Sequence, residues 1–197
     1  MISVYDLKSR FQDLLRPICK GLAERGVTAN QVTLTALGLS IFYGALLCFN
    51  ISALWLALPL FLFIRMGLNA IDGMLAREHN MKSKLGMALN ELGDVISDTA
   101  LFIPFIFYAP AAGYAVAAFI FVAALSELCG LLAFMMSGTR RYDGPMGKSD
   151  RAAATGILGF IIGLGISLQS TLGIIFIFLT LLCIWSCVNR LSAALKE

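Results

Sequence analysis

Histidine is nearly absent from this chain, with His79 as the only one. The five cysteines, Cys19, Cys48, Cys129, Cys183 and Cys187, are scattered through apolar sequence. Cys183 and Cys187 lie one helical turn apart, but neither a histidine nor an acid accompanies them, so apolar packing explains them better than a metal site or a disulfide. No internal repeat and no low-complexity tract is evident. Residues 1–26 carry charges throughout, which argues against a signal peptide. Basic charge is modest at a net +3 and sits in loops, which gives no case for nucleic-acid binding.

What the chain has in abundance is apolar sequence. Its 197 residues are 59% hydrophobic, with a mean hydropathy of +0.84. This composition predicts an all-α polytopic membrane protein in a single domain covering residues 1–197. About 20 apolar residues cross a bilayer as a helix. Six such spans are expected, at about 28–50, 52–77, 84–109, 113–137, 152–169 and 171–192, and together they predict a six-helix bundle over 28–192. Residues 1–26 precede them. Val4, Leu7, Phe11, Leu14, Leu15 and Ile18 recur there at helical spacing, interleaved with Lys8, Arg10, Arg16 and Lys20. That pattern predicts an amphipathic helix lying in the membrane interface, kinked or halved at Pro17.

Orientation follows from where lysine and arginine fall. They cluster before the first span, between the second and third, between the fourth and fifth, and at the C-terminus. The connections near Asn50–Ser52, Pro110–Gly113 and Gln169–Ser170 carry no charge. By the positive-inside rule both termini face the cytoplasm.

Against this background one stretch is anomalous. Residues 69–98 read NAIDGMLAREHNMKSKLGMALNELGDVISD. Acidic side chains in hydrocarbon are costly, and by default they mark function. On a helix, Asn69, Asp72 and Ala76 share one face, and so do Gly86, Asn90, Asp94 and Asp98. A short polar turn near His79–Lys82 joins the two segments, so the two are expected to pack antiparallel. Their oxygens would then converge as a hard divalent cation requires, with substrate phosphate completing the shell. Counting at ~1.5 Å per residue puts Asp72 about 9 Å and Asp94 about 16 Å below the cytoplasmic surface. Glu91 adjoins Asn90 but points about 100° away on an ideal helix. Arg65, Asp98 and Glu127 lie deeper and are expected to form a buried ion network across the second, third and fourth spans.

Asp72-Gly73-x-x-Ala76-Arg77, then Gly86, then Asp94 eight residues further on, resembles the signature of the CDP-alcohol phosphotransferases, D-x-x-D-G-x-x-A-R followed after eight or nine residues by G-x-x-x-D-x-x-x-D. Within that family the chain is similar to a bacterial branch. Two positions depart from the pattern, because Asn69 and Asn90 stand where the signature has its first and third aspartates. The resemblance implies an inner-membrane enzyme that uses Mg²⁺ or Mn²⁺ and acts as a homodimer. It implies transfer of a phosphatidyl or substituted phosphate group from a CDP-linked lipid or alcohol donor, with CDP-diacylglycerol favoured, to a hydroxyl acceptor with release of CMP. Carried over residue by residue, it implies metal ligation by Asp72, Asp94, Asn69 and Asn90, with Asp94 as the catalytic base. It places Asn30, Thr33, Gly73, Ala76, Arg77 and Gly86 near the nucleotide. Lys148, Arg151 and Arg140 are candidates for an acceptor phosphate, although anchoring at the membrane surface explains the same charges. Neutral amides at 69 and 90 remove two negative charges from the site. That keeps open a non-catalytic, lipid-binding member of the family. A cation transporter is a third reading, disfavoured because no polar path continues past the cluster.

Overall fold

The structure is a computed structural model and describes residues 4–139, 141 and 143–196, with side chains described from Phe11 onward. Among the described residues the chain is helical throughout and contains no strand. The helices are α1 (Val4–Glu24), α2 (Ala29–Leu47), α3 (Ser52–Glu78), α4 (Lys84–Phe102), α5 (Pro104–Tyr108), α6 (Gly113–Ser137, entered through a 3₁₀ turn at Pro110–Ala112), α7 (Lys148–Gly163) and α8 (Leu172–Ala194).

Four of these are long and apolar enough to cross a bilayer: Ala29–Leu47, Ser52–Glu78, Pro110–Ser137 and Leu172–Ala194. The other two expected spans have a different character. The stretch predicted at 84–109 is two helices, α4 and α5, separated at Ile103 where Pro104 removes a backbone donor. Its first helix carries Lys84, Glu91, Asp94 and Asp98. The stretch predicted at 152–169 is α7, 16 residues long, which starts at Lys148 and ends at Gly163. Its start is fixed by Asp150, whose carboxylate accepts the Gly147 N–H at 2.8 Å. Residues 148–151 read as loop in the sequence because they are polar, yet they form the first turn of a helix.

α1 continues through Pro17, so the helix is not halved there. The carbonyl that Pro17 leaves without a donor belongs to Asp13, an exposed residue, where water can replace the lost bond. The helix rests on α3 through an edge-on Phe11–Phe63 pair (5.8 Å between centroids) and an Arg16–Glu78 ion pair at 3.3 Å. Cys19 packs with Ala29, Val32, Ile71, Met74 and Leu75 in a small apolar cluster.

A larger core occupies the region built by the start of α3, the end of α4, and α5, α6 and α8. Trp55, Phe102, Phe105, Phe119 and Phe176 meet there at centroid separations of 4.8–5.3 Å. Such tilted and edge-on aromatic pairs add about 0.5–1.5 kcal/mol each beyond area burial. Small residues bring the helices close. A side chain at Gly163 would collide with the Leu56 backbone of α3, and one at Gly44 with the Ala100 carbonyl of α4. Gly156 and Gly159 also face α3. Gly165 lies past the end of α7 with φ +83°, a backbone conformation that favours glycine.

The polarity of the molecule is inverted relative to a soluble domain. Arg65, Asp72, Arg151 and Arg190 are each 4% exposed or less, while Phe49 and Ile174 are each more than 70% exposed. An apolar exterior around buried charges is what a bilayer selects.

The expected antiparallel seam between α3 and α4 is absent. α3 packs mainly on α7 and α2, and α4 mainly on α2 and α6. The facing surfaces of α3 and α4 carry Asn69, Asp72, Asn90 and Asp94, which would be desolvated in a dry seam. The two helices are joined by polar bonds, and a cavity lies between them.

Candidate active site

The cavity has a volume of about 590 Å³ and opens where α2 begins, α3 ends and α4 begins. Asn30, Thr33, Asn69, Asp72, Gly73, Ala76, Arg77, Gly86 and Asn90 all line it. Lys82, Lys84 and Glu91 also line it. Glu91 reaches the cavity despite its offset from Asn90 along the helix, because the opening wraps around the first turns of α4.

Each wall is set by local chemistry. α2 begins with a reciprocal cap: Thr28 Oγ1 accepts the Gln31 N–H at 3.3 Å, and Gln31 Oε1 accepts the Thr28 N–H at 2.9 Å. This orders the first turn that carries Asn30 and Thr33. α4 begins with Ser83, whose Oγ accepts the Gly86 N–H at 2.9 Å. Gly86 lies so close to α2 that a Cβ there would stand 2.6 Å from Asn30 Oδ1. Gly73 similarly leaves room for the Arg77 guanidinium to fold back over α3, since a Cβ there would stand 3.1 Å from Arg77 Nη1.

Asp72 is 3% exposed, and its Oδ2 accepts a hydrogen bond from Thr33 Oγ1 at 2.8 Å. Asn69, about one turn earlier, donates from Nδ2 to Asp94 Oδ1 at 3.2 Å. Lys148 Nζ forms an ion pair with the same Asp94 oxygen. Arg65 Nη2 stands 3.9 Å from that oxygen and donates to the Asp94 backbone carbonyl at 3.4 Å. Asp94 is thus fixed from α3 and α7, one layer behind the cavity lining.

The expected ion network exists in a larger form. Arg65 Nη1 pairs with Asp98 Oδ1 at 2.7 Å. Asp98 Oδ2 pairs with Arg151 Nη2 at 3.1 Å, and Arg151 pairs with Glu127 Oε1 at 2.7 Å. Arg190 lies 4.0 Å from Glu127 and donates to the Ser126 carbonyl. Sequence reasoning placed Arg65, Asp98 and Glu127 together but missed the two arginines that connect and extend them. The available signal was the lone charge at Arg190, near the end of an otherwise apolar span. Of the acceptor-phosphate candidates, Lys148 and Arg151 lie on the first turn of α7, the former on Asp94 and the latter 1% exposed within the network. Arg140 lies outside the described residues.

Among the described residues no three His, Cys, Asp or Glu side chains gather as a metal site. The donor set that does gather is the Asp72 carboxylate, with the amide oxygens of Asn69 and Asn90 beside it and Asp94 behind, while Glu91 is the other lining carboxylate, on α4 next to Asn90. This set fits a single hard divalent cation, which needs only one or two carboxylates when substrate phosphates supply further oxygens.

Comparison with known proteins gives consistent findings. A family model described as CDP-alcohol phosphatidyltransferase matches residues 26–186. The inner membrane protein YnbA of Escherichia coli K12 is 44% identical over 195 residues, covering 98% of this chain and 97% of that protein. A phosphatidylinositol phosphate synthase of Corynebacterium glutamicum is 34% identical over 91 residues, 46% of this chain and 41% of that protein. The fold is shared with the phosphatidylinositol phosphate synthase PgsA1 of Mycobacterium tuberculosis, solved with CDP-DAG bound. The TM-score is 0.75 at 20% identity, over 90% of this chain and 92% of that one. The same enzyme solved with manganese and citrate gives a TM-score of 0.75, over 91% and 88%.

Proposed function

The chain belongs to the CDP-alcohol phosphatidyltransferase family, and on that premise we propose that it transfers a phosphatidyl or substituted phosphate group from a CDP-linked donor to a hydroxyl acceptor, releasing CMP. CDP-diacylglycerol is the donor we favour, since it is bound in the PgsA1 structure of shared fold and a lipid tail suits an apolar exterior. One observation carries the reading: nine residues of the signature and its neighbourhood line a single polar cavity in a protein with a lipid-like surface.

In this reading the nucleotide head enters from the cytoplasm between Asn30, Gly86 and Arg77. Asp72 and the amide oxygens of Asn69 and Asn90 would hold Mg²⁺ or Mn²⁺. A divalent ion bound there would neutralise charge on the diphosphate and on CMP as it departs. Asp94 takes the proton of the acceptor hydroxyl. The acceptor oxygen then bonds to the lipid-side phosphorus, and the bond from that phosphorus to the CMP oxygen breaks. Every side-chain contact of Asp94 among the described residues falls on Oδ1, so Oδ2 keeps its acceptor capacity for that proton. The test is CMP release by the purified protein with Mn²⁺ or Mg²⁺, CDP-diacylglycerol and a panel of alcohols. Release that depends on both metal and acceptor is expected.

A second reading has its own support. Asn69 and Asn90 lower the negative charge of the site, as they would in a non-catalytic, lipid-binding member. Saturable binding of CDP-diacylglycerol without CMP release would favour it.

The reading includes six membrane segments in a bacterial inner membrane, in line with the E. coli relative's name. Both termini face the cytoplasm, and α1 lies in the interface with exposed Leu14 and Ile18 toward lipid. Cysteines placed at Pro110–Gly113 are expected to react only from the periplasmic side, and labelling from the cytoplasm overturns this topology. A homodimer belongs to the same reading and is tested by cross-linking in vesicles.

A further inference from the structure

Asp72 and Asp94 are held in opposite ways. Asp72 accepts the Thr33 hydroxyl, and among the described residues no lysine or arginine forms an ion pair with it. Asp94 Oδ1 carries the Lys148 ammonium and the Asn69 amide at 3.2 Å. Arg65 stands behind them, 3.9 Å from the same oxygen and bound at 2.7 Å to Asp98.

Lys148 does not reach Asp94 from a loose loop. It is the first residue of α7, directly after the Gly147–Asp150 cap, and its side chain is 29% exposed. An ammonium is a compact point charge with three donors. Placed on Asp94 Oδ1, it offsets the charge of that carboxylate. It also opposes any further cation that approaches within a few ångströms. Asp72 carries no ion pair among the described residues, and Lys148 acts on it only from its place on Asp94. Asn69, having given its N–H to Asp94, keeps its amide oxygen as an acceptor.

We propose that Lys148 is a tethered cation that takes the role of a second divalent ion at Asp94, so that the chain binds one divalent cation, at Asp72. This deepens the transferase reading, since a donor diphosphate would then meet one metal ion and one lysine. The assignment of cations to carboxylates does not require turnover.

The experiment is calorimetric Mn²⁺ titration of the native protein and its variants in detergent, without nucleotide. Lys148→Met unmasks Asp94, so its Mn²⁺ affinity is expected to rise at least tenfold, while Lys148→Arg stays within about twofold of native. Unchanged or weaker binding by a folded Lys148→Met protein overturns the proposal, and so does a native protein that binds no Mn²⁺. Should Lys148→Met fail to fold, two other variants decide. Asp72→Asn is expected to lose Mn²⁺ binding at least tenfold and Asp94→Asn less than twofold, and equal losses overturn the proposal. If native protein releases no CMP while the affinities follow this pattern, the transferase reading fails and the Lys148 assignment stands.

Discussion

Asp94 and Asp98 sit one turn apart on α4, yet they belong to two different regions. Both oxygens of Asp98 are taken by guanidinium groups, Oδ1 by Arg65 and Oδ2 by Arg151. Asp94 is bound on one oxygen only, by an ammonium and an amide. The first arrangement ties α3, α4 and α7 together and extends through Glu127 and Arg190 to α6 and α8. The second borders a cavity large enough for a substrate head group. The two carboxylates share residue type and helix, one turn apart. On the proposed reading, what separates the structural carboxylate from the reactive one is whether fixed partners engage both of its oxygens or only one.

The strongest way to test that contrast is Asp98→Asn. It leaves Arg65 and Arg151 without their shared counter-charge. Breaking a buried ion pair on one side costs about 3–5 kcal/mol, a large fraction of the about 5–15 kcal/mol that typically keeps a protein folded. The expected result is a collapse in folded yield and thermal stability, read by size-exclusion profile and melting in detergent. A well-folded but inactive Asp98→Asn protein would move Asp98 into the reactive region.

On the cavity side the expected losses are of turnover and not of fold. Asp72→Ala and Asp94→Asn are expected to keep native helicity and monodispersity while CMP release falls at least about a hundredfold, the lower range for a lost general base. Near-normal release from both would remove the mechanism assigned to them.

How far these two regions were legible in the sequence depends on the kind of signal. Spacing of three and four along α3 and α4 brought Asn69, Asp72, Gly86 and Asn90 to one cavity, because helical periodicity is local information. The register between helices is not local. The polar turn at His79–Lys82 predicted that α3 and α4 would pack together, whereas α2 packs on both and a cavity holds them apart. The segment G-K-S-D-R read as a loop because its polarity outweighed its capping pattern. That hid the fact that Lys148 and Arg151 extend from a helix toward α4. Four spans declared themselves through hydropathy. The other two expected spans, the α4–α5 stretch and α7, carry or adjoin the site's charges, which dilute that signal.

Returning charge to the site sharpens the contrast further. Asn69→Asp with Asn90→Asp adds two carboxylates beside Asp72. A unit charge a few ångströms away is worth roughly several kcal/mol at an effective dielectric near 20, and the greater burial penalty of Asp over Asn offsets part of it. Mn²⁺ binding without nucleotide is expected to tighten by about ten- to a hundredfold in calorimetry. Two tight Mn²⁺ ions already present in the native protein would contradict the one-ion site.

The smallest expected effect distinguishes a wall that can yield from one that cannot. A methyl at Gly86 would stand 2.6 Å from Asn30 Oδ1 and 3.0 Å from Ser83 Oγ, both side-chain atoms. A methyl at Gly163 would meet the backbone of Leu56. The Asn30 amide can rotate away, at about the 0.5–1.5 kcal/mol of an off-rotamer side chain, whereas the α3 backbone cannot move without separating α3 from α7. Gly86→Ala is therefore expected to leave the melting temperature nearly unchanged and to raise the KM for the CDP-linked donor about two- to tenfold, with kcat little altered. Gly163→Ala is expected to lower stability and leave the donor KM of the surviving folded protein alone. If Gly86→Ala lowers the melting temperature as much as Gly163→Ala and leaves the donor KM unchanged, then Asn30 and Gly86 form a packing contact between α2 and α4, and the nucleotide does not bind against them.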